Sequence, residues 1–284
     1  MEFELRTNKA NGRRAVNKPI TVLWMLGQYT SSGTTTFQFA DIESVVGEII
    51  QDYTRLPNIS DPFWRLRRDD ILKFPDEMLI GNHRSGNPIV HDLRKYGQAH
   101  FTSNFESFIS SPENLIAYAE WILDSFFTEG LDDDILFRVG LTYRHDLNLK
   151  LIGAKPKRKR DPKFRDNVAT AYNHQCAVCG FSLLMGNTAI ANEAAHIRWH
   201  SYGGPDVISN GIFLCNLHHR LFDRGVIGFS DHYEMIISDR ASSASDGFKR
   251  WILDFDGRSI DLPRKVNEYP AMEYLDWHRK EVLV

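Results

Sequence analysis

Long apolar runs are missing from this sequence. No stretch approaches the roughly 20 apolar residues that a membrane-spanning helix needs. The first four residues have neither the basic start nor the apolar core of a secretion signal. We therefore expect a cytoplasmic protein that does not have a membrane as its partner.

Cysteine is scarce, and positive charge is not in excess. The 284 residues include three cysteines, an odd number confined to one region, which excludes a disulfide framework. Lysine and arginine number 34 against 37 aspartates and glutamates, and the resulting net charge of −3 excludes a protein that coats nucleic acid through bulk charge. Any DNA contact would therefore come from local basic patches.

Apolar periodicity in the first half of the chain predicts mainly helices. The predicted helices are residues 18–27, which end at Gly27, residues 41–52, a helix capped by Ser111 with Pro112 at its first position, and a short one opened by Asp132-Asp133-Asp134. The alternating residues 63–66 (Phe-Trp-Arg-Leu) predict a strand. After Tyr233 the pattern predicts strands and then a closing helix.

A basic stretch divides the chain into two parts. Residues 155–160 (Lys-Pro-Lys-Arg-Lys-Arg) contain no apolar side chain and cannot form a core, which is typical of a linker. The stretch is either a solvated charge run or a linker that also contacts phosphates. The predicted domains are residues 1–150 and 166–284, joined by a linker over residues 151–165; the length is sufficient for two cores.

All three cysteines belong to two short-spaced pairs. Cys176-x2-Cys179 and Cys215-x2-His218 offer the four nitrogen and sulfur ligands that a structural zinc ion takes in a tetrahedron. A single Cys-x2-Cys would be a weak signal, but two pairs that use every cysteine are a strong one. The alternative is a set of buried thiols near a turn.

Four polar residues interleave with the zinc pairs. The pattern predicts a strand ending at His196, a loop, a strand after Asn210, and a helix that carries His219 and Asp223 one turn apart on one face. Phosphodiester hydrolysis requires deprotonation of water and compensation of the phosphate charge. We expect His196 to be the base, Asn210 to orient it through a hydrogen bond, and His219 with Asp223 to bind a divalent metal (Mg²⁺, Mn²⁺, Co²⁺ or Ni²⁺).

This order of residues resembles the HNH (ββα-metal) nuclease family. The resemblance implies His196 as the general base, Asn210 as the middle asparagine, and His219 as the last metal-binding histidine, followed by Asp223. The chain departs from the family at Ala195, where a metal-binding His or Asp is common. Glu193, two residues earlier on the same strand face, or a water molecule would then complete the metal site.

The first half resembles, more loosely, the sulfur-binding module that precedes HNH domains in restriction enzymes that cut phosphorothioated DNA. The residues that carry the resemblance are 17–20, 62–66, 97–101 and 126–141, and together with the HNH part it covers most of residues 15–284. Two departures occur at the recognition end. Asn17 replaces a histidine, and the loop before Phe63 lacks the usual aromatic and proline cluster.

A phosphorothioate presents a larger and softer atom than a phosphate, so its reader needs an apolar depression beside a cation. Lys18 and Arg65 are the candidate cations, Pro62 with Phe63 or Trp64 the candidate depression, and Arg67 and Arg68 further DNA contacts. Alternatively, Phe63 and Trp64 belong to the core, and the module recognises another modification or DNA alone.

The combined prediction is an α+β protein in which a mostly helical N-terminal DNA-recognition domain is joined by a basic linker to a C-terminal zinc-stabilised ββα-metal nuclease domain. Its function would be that of a modification-dependent restriction endonuclease acting on double-stranded DNA, either as a homodimer or by two successive nicks. The alternatives are an HNH effector whose N-terminal domain senses a different modification, a protein or a small ligand, and a non-catalytic zinc module that binds DNA.

Overall fold

The computed structural model describes residues 3–7, 15–141, 162–186 and 188–284. The chain divides into an N-terminal unit (Met1–Ala10 and Ala15–Pro156) and a C-terminal unit (Asn11–Arg14 and Lys157–Val284). The basic stretch 155–160 lies outside the described residues. The helix Pro162–Ala171 includes residues 162–165, which the sequence assigned to the linker.

Helices make up most of the described N-terminal unit. They are α1 (Asn17–Ser32), α2 (Phe39–Gln51), α3 (Ser60–Arg65), α4 (Val90–Tyr96), α5 (Ser103–Ile109), α6 (Pro112–Phe126) and α7 (Asp132–Arg138). Three short strands, β1 (Thr36–Gln38), β2 (Leu72–Lys73) and β3 (Gln98–Phe101), form an antiparallel sheet in the order β1-β3-β2, with Thr36 opposite His100 and Leu72 opposite Phe101.

Helices α2, α6 and α7 confirm the sequence pattern. The Ser111 hydroxyl accepts a hydrogen bond from the Asn114 amide, Pro112 is the first residue of α6, and the apolar stripe from Leu115 to Phe126 is buried. In α2 the predicted apolar face is buried, except that Val45 is exposed.

Gly27 does not end α1, contrary to the prediction. The helix continues to Ser32 and ends at Gly33, which adopts the left-handed conformation (φ 67°) that favours glycine. Gly27 is buried, and a Cβ at this position would lie 2.2 Å from the carbonyl oxygen of Val139. Its lack of a side chain therefore serves a close approach between chain segments.

The predicted strand at residues 63–66 is also wrong. These residues belong to α3 and the short 3-10 turn Leu66–Asp69 that follows it. Phe63 and Trp64 are adjacent in sequence and both completely buried, an arrangement that a half-exposed strand cannot provide because its side chains alternate between faces. Pro62 lies in the first turn of α3, where its missing N–H costs little.

The C-terminal unit is centred on a hairpin followed by a helix. Strand β6 (Asn192–His196) pairs antiparallel with β7 (Gly211–Cys215), with Asn192 opposite Cys215 and His196 opposite Gly211. All five residues of β7 are buried. The remaining described elements are α8 (Pro162–Ala171), β4 (Leu184–Met185), β5 (Thr188–Ala189), α9 (Asn216–Asp223), β8 (Ile227–Phe229), β9 (Met235–Ile237), α10 (Asp246–Trp251) and α11 (Met272–Glu281).

The chain order β6-β7-α9 confirms the predicted strand–loop–strand–helix arrangement. Helices α8 and α9 both pack on the hairpin. The closing helix predicted after Tyr233 is α11, whose buried residues are Leu275, Trp277 and His278. Throughout the described residues, helices are too short or too polar to cross a membrane.

Candidate active site and zinc centre

The four predicted zinc ligands lie together. Their ligand atoms are all within 4.8 Å of one another. The Nδ1 atom of His218 is 3.6 Å from the Cys176 sulfur and 3.2 Å from the Cys215 sulfur, and the sulfurs of Cys179 and Cys215 are 4.0 Å apart. Ligands around one zinc ion are separated by about 3.5–3.8 Å, given its tetrahedral bond lengths. The cluster is therefore able to hold a zinc ion.

A backbone carbonyl sets the orientation of the histidine in this cluster. The Nε2 atom of His218 donates to the carbonyl oxygen of Trp251 at 3.1 Å, which turns Nδ1 towards the sulfurs. Burial lowers the pKa of His218, but hydrogen bonds to the sulfurs of Cys176 and Cys215 outweigh burial and raise this pKa to about 10.

The pKa values of Cys179 and Cys215 shift in opposite directions. Hydrogen bonding with Cys176 is the main cause that raises the pKa of Cys179, and hydrogen bonding with the same residue is the main cause that lowers the pKa of Cys215. A divalent cation at the centre would satisfy all three sulfurs as thiolates. The donor set and its crowding therefore both fit zinc.

His219 lies between two carboxylates. Its Nε2 atom is 3.4 Å from Oδ2 of Asp223, one turn later on α9, and its Nδ1 atom is 3.0 Å from Oε2 of Glu193 on β6. The Asp223 side chain is 2% exposed, whereas that of Glu193 is 56% exposed. An imidazole nitrogen beside a carboxylate is a donor set suited to a hard or borderline divalent cation.

This geometry separates the two carboxylates. Because Glu193 and Asp223 contact opposite nitrogens of the His219 ring, one metal ion bound by a single nitrogen reaches only one of them in this rotamer. The arrangement predicted from the sequence, a metal-binding pair on one helix face, is matched by His219 with Asp223 and not by His219 with Glu193. Glu193 faces the same histidine from the strand.

His196 ends β6 and contacts a carboxylate that the sequence analysis did not select. Its Nε2 atom is 2.7 Å from Oδ1 of Asp206, and its ring stacks on Phe164 with centroids 4.0 Å apart and an interplanar angle of 12°. Asp206 follows Gly203-Gly204-Pro205. An aspartate in such a sequence is typical of a turn, so only its spacing of ten residues from His196 could have drawn attention to it.

Asn210 does not orient His196 in the way that was predicted. Its Oδ1 atom accepts from the backbone N–H of Arg198 at 2.9 Å, and its Nδ2 atom donates to the carbonyl oxygens of Arg198 and Pro205, both at 3.0 Å. Asn210 is completely buried. Its amide therefore holds the loop between the two strands rather than the imidazole ring.

In the N-terminal unit, Lys18 is not the exposed cation that was expected. Its ammonium group lies 2.6 Å from Oδ2 of Asp69 and donates to the carbonyl oxygen of Arg6 at 2.8 Å. Lys18 and Asp69 are both 6% exposed. Burial raises the pKa of Asp69, while Lys18 opposes that shift. Lys18 therefore neutralises a buried carboxylate.

Phe63 and Trp64 are core residues, as the alternative interpretation held. Phe63 packs against Phe39 and Phe74, and Trp64 packs edge-on against Phe74. The Trp64 indole N–H donates to Oδ1 of Asn82 at 2.9 Å. Their complete burial leaves Pro62, which is partly exposed, as the accessible member of the predicted apolar depression.

Two of the predicted arginines, Arg65 and Arg68, lie close to the loop of residues 82–87, which the sequence did not indicate as part of a DNA-binding surface. Arg65 donates to Oδ1 of Asn87 at 2.7 Å and pairs with Asp61 at 2.5 Å, Arg67 lies 3.8 Å over the Trp64 ring, and exposed Arg68 approaches Gly86. Asn82 and Asn87 thus tie residues 82–87 to α3. The loop presents His83 and Arg84 to solvent.

Two protein families match this chain. Residues 3–144 match the ScoMcrA-like DNA sulfur-binding domain family, and residues 176–230 match the HNH endonuclease family. These matches confirm both resemblances inferred from the sequence. No curated protein matches the chain.

Similar solved structures match parts of the chain. The sulfur binding domain of ScoMcrA complexed with phosphorothioated DNA is 19% identical, with a TM-score of 0.43, over 49% of this chain and 92% of that one. The type IV phosphorothioation-dependent restriction endonuclease ScoMcrA is 19% identical, with a TM-score of 0.42, over 49% and 31% of the two chains. The modification-dependent TagI restriction endonuclease is 24% identical, with a TM-score of 0.32, over 45% of this chain and 40% of that one. This chain therefore spans less than half of the length of either endonuclease.

Proposed function

Because this chain belongs to the family of ScoMcrA-like DNA sulfur-binding domain proteins, we propose that it is a modification-dependent DNA endonuclease. An HNH endonuclease domain follows the sulfur-binding module in the sequence. Its N-terminal unit binds modified, phosphorothioated DNA, and its C-terminal unit hydrolyses a phosphodiester bond. The carrying observation is the ββα unit, which places the His219–Asp223 pair on a helix packed against the strand that ends in His196.

In the proposed reaction His196 is the general base. A water molecule transfers a proton to its imidazole while the water oxygen forms a bond to phosphorus. The ester bond on the opposite side of phosphorus breaks, its electron pair remains on the leaving oxygen, and a solvent proton neutralises that oxygen. The products are one phosphorylated end and one hydroxyl end.

His219 and Asp223 are the proposed ligands of a catalytic Mg²⁺, Mn²⁺, Co²⁺ or Ni²⁺ ion. Such an ion would neutralise phosphate charge and stabilise the leaving oxygen. Glu193, on the other nitrogen of His219, would orient the ring or take part in binding through a water molecule. Cys176, Cys179, Cys215 and His218 would hold a structural Zn²⁺ ion.

The proposed DNA-binding surface combines the partly exposed Pro62, the arginines of α3 and its turn, and loop 82–87. Arg65, Arg67 and Arg68 supply positive charge, and the loop adds His83 and Arg84. Contacts of such side chains with phosphates orient a protein on DNA, whereas a contact with the modified atom provides selectivity. A phosphorothioate sulfur would pack on Pro62 beside Arg65.

A different DNA modification is the second candidate, and one observation favours it. Asp61 lies 2.5 Å from Arg65 and offsets the charge of the cation placed next to Pro62. A carboxylate at this position disfavours an anionic group and tolerates a neutral mark, such as a modified base.

Cleavage of both strands by one site per chain requires either a homodimer or two successive nicks. Supercoiled plasmid separates the two routes, because successive nicking accumulates open circles before linear DNA appears. A concerted dimer produces linear DNA directly, with a rate that depends on protein concentration.

The test of the proposed function is a digestion of phosphorothioated, methylated, hydroxymethylated and plain duplexes of one sequence with Mg²⁺, Mn²⁺, Co²⁺ or Ni²⁺. We expect cleavage of one modified substrate and no cleavage by the full-length His196→Ala variant, with its zinc content and DNA binding unchanged. A wild-type protein that cuts none of these duplexes with any metal would refute the nuclease assignment. Equal binding of modified and plain DNA by His196→Ala would refute the modification dependence.

A further inference from the structure

Asp206 has no assigned role in the proposed reaction, yet its carboxylate lies within hydrogen-bond distance of the imidazole of the proposed base. The Asp206 Oδ1 to His196 Nε2 distance is 2.7 Å, and the two side chains are 18% and 5% exposed. We propose that Asp206 is a positioning residue that fixes the tautomer and the plane of His196. This inference rests on the proposed function, because it assigns a partner to the base of that reaction.

Asn210 supports Asp206 through the loop between β6 and β7. It donates to the carbonyl oxygen of Pro205, the residue before Asp206, and it contacts both backbone polar groups of Arg198. Gly204 permits this close packing, since a Cβ there would lie 1.8 Å from the Arg198 oxygen and 2.9 Å from the Asn210 amide nitrogen. The asparagine thus acts on His196 indirectly, by placing the carboxylate.

A second constraint on the His196 ring comes from Phe164 of helix α8. Phe164 stacks face to face on His196, and Gly211, directly opposite His196 in the hairpin, makes room for that helix. A Cβ at Gly211 would lie 2.4 Å from Cγ2 of Val168 and 3.1 Å from Cζ of Phe164. Stacking on Phe164 therefore fixes the plane of the imidazole ring, and the contact with Asp206 fixes which way the ring is turned within that plane.

The contact between the Asp206 carboxylate and Nε2 determines which ring nitrogen of His196 carries the proton. Neutral His196 must carry its proton on Nε2 to donate to Asp206, so the lone pair that accepts a proton from water is on Nδ1. After proton transfer the carboxylate stabilises the imidazolium ion. The His200 ring lies near His196, with centroids 6.3 Å apart, and the Arg198 guanidinium donates to the backbone carbonyl oxygen of Tyr202.

The tautomer provides a direct test that does not depend on cleavage. Nitrogen-15 NMR of the full-length protein labelled at histidine, with the His196 signal identified by its loss in His196→Gln, should report a neutral ring protonated at Nε2. In Asp206→Asn the amide can donate to Nε2, and the signal should shift towards the Nδ1-protonated form. An Nδ1-protonated wild-type ring, or identical spectra in the two proteins, would overturn the proposal.

The kinetic test compares Asp206→Asn and Asp206→Glu with Asp254→Asn, which removes a charge from an exposed position of the same unit. Asp206→Asn should lower kcat by about 10²-fold or more, the usual contribution of an aligned proton acceptor, without a change in KM or zinc content. Asp206→Glu keeps the carboxylate and should retain a higher kcat, and Asp254→Asn should match the wild type. Equal losses in both Asp206 variants would assign the residue to loop packing and overturn its positioning role.

The two tests separate this inference from the proposed function. If the wild-type protein cuts no DNA while its His196 ring is protonated at Nε2 and responds to Asp206→Asn, the hydrogen bond is as proposed and the nuclease assignment fails. If the protein cuts DNA and neither the spectrum nor kcat responds to Asp206→Asn, the nuclease assignment stands and the role of Asp206 fails.

Discussion

The buried ion pair of Lys18 and Asp69 shows how one residue can carry a different role from the one its type suggests. Lys18 follows Asn17 near the start of α1, yet its ammonium group is bonded to Asp69, 51 residues later, and to the Arg6 carbonyl oxygen. Removing one member of a buried pair leaves an uncompensated charge, whereas replacing both with apolar groups can be neutral. Loss of either partner alone should therefore destabilise the N-terminal unit, whereas loss of both together should cost much less.

The Lys18–Asp69 pair leads to a stability prediction. Lys18→Met and Asp69→Leu should each lower the free energy of unfolding of the N-terminal unit by about 3–5 kcal/mol, and the double variant should lie closer to the wild type. Denaturant unfolding followed by tryptophan fluorescence measures all four proteins. A double variant as unstable as the two single variants combined would contradict the assignment.

The same pair predicts a pH dependence. Burial raises the pKa of Asp69, and loss of Lys18 removes an interaction that opposes this shift. In Lys18→Met the Asp69 carboxyl then has a higher pKa in the folded state than in the unfolded state. The free energy of unfolding therefore falls as the pH rises through the pKa of Asp69 in the folded state. The destabilisation of Lys18→Met relative to the wild type should therefore be smaller at pH 5 than at pH 7. A penalty independent of pH would be evidence against a buried Asp69 carboxylate.

The carboxylates beside His219 predict unequal metal effects. Asp223 is buried and one turn from His219, whereas Glu193 is more than half exposed and contacts the other ring nitrogen. Asp223→Asn should raise the Mn²⁺ concentration needed for half-maximal cleavage by about 100-fold or more. Loss of a metal ligand lowers metal affinity more than loss of a residue that only hydrogen-bonds to a ligand. Glu193→Gln should have a much smaller effect. Calorimetric titration with Mn²⁺ checks both, and equal losses would place the ion on the Glu193 side.

At this scale, residue type and short spacing predicted much of the candidate site. The two zinc pairs and the His219–Asp223 pair depend on spacings of three or four residues, which a turn or a helix converts directly into proximity. Asp206 was missed because its contact with His196 spans a loop whose path depends on Asn210. Lys18 was expected as an exposed cation, and the sequence left open whether Phe63 and Trp64 are core or surface residues, because the burial of all three depends on distant segments.

At the scale of elements, helix α1 shows why a glycine is ambiguous in sequence. Gly27 has the position of a helix end in the apolar pattern, but α1 continues past it because the backbone of residues 139 and 140 lies against it. A glycine that caps a helix adopts the left-handed conformation and needs space around it, and Gly33 meets both conditions. Sequence alone does not distinguish a glycine that ends a helix from one that allows a close contact.

Two helical glycines give a matched test of this distinction. Gly27→Ala should destabilise the N-terminal unit by about 1–3 kcal/mol, because its Cβ would overlap the backbone oxygen of Val139. Gly47→Ala, in the middle of α2, should be neutral or stabilising by up to about 1 kcal/mol, since alanine favours the helix and its Cβ meets only the mobile end of Ile59 at 3.3 Å. Thermal unfolding compares the two variants, and similar melting temperatures would argue against the close contact at Gly27.

For the whole molecule, the Cys3His cluster connects stability to the proposed chemistry. His218 belongs to the cluster that could hold a zinc ion, and the adjacent His219 faces Glu193 and Asp223, so one helix carries residues of both candidate sites. The cluster also joins residue 176 to residue 218 across the hairpin. Loss of the ion should therefore release α9 from the strands it packs on.

Removal of zinc is the corresponding prediction. Chelation should abolish hydrogen-exchange protection over residues 192–223 and stop cleavage, while residues 17–138 retain their protection and DNA binding persists. Exchange measured by mass spectrometry on the full-length protein, with zinc quantified in parallel, tests this. Cys179→Ser should behave as the chelated protein does. Retained protection in α9 after complete zinc loss would show that the ion is not structural.

The sequence by itself determined the two kinds of domain, the order of strands and helix in the C-terminal unit, and the four residues of the cluster that could hold a zinc ion. These features rest on periodicity and on spacings of a few residues, which local backbone geometry reproduces wherever they occur. Only the tertiary structure decided that Lys18 is neutralised by Asp69, that Phe63 and Trp64 are buried, and that Asp206 rather than Asn210 contacts His196. Those contacts join residues separated by loops and whole elements, and their existence depends on how the segments pack.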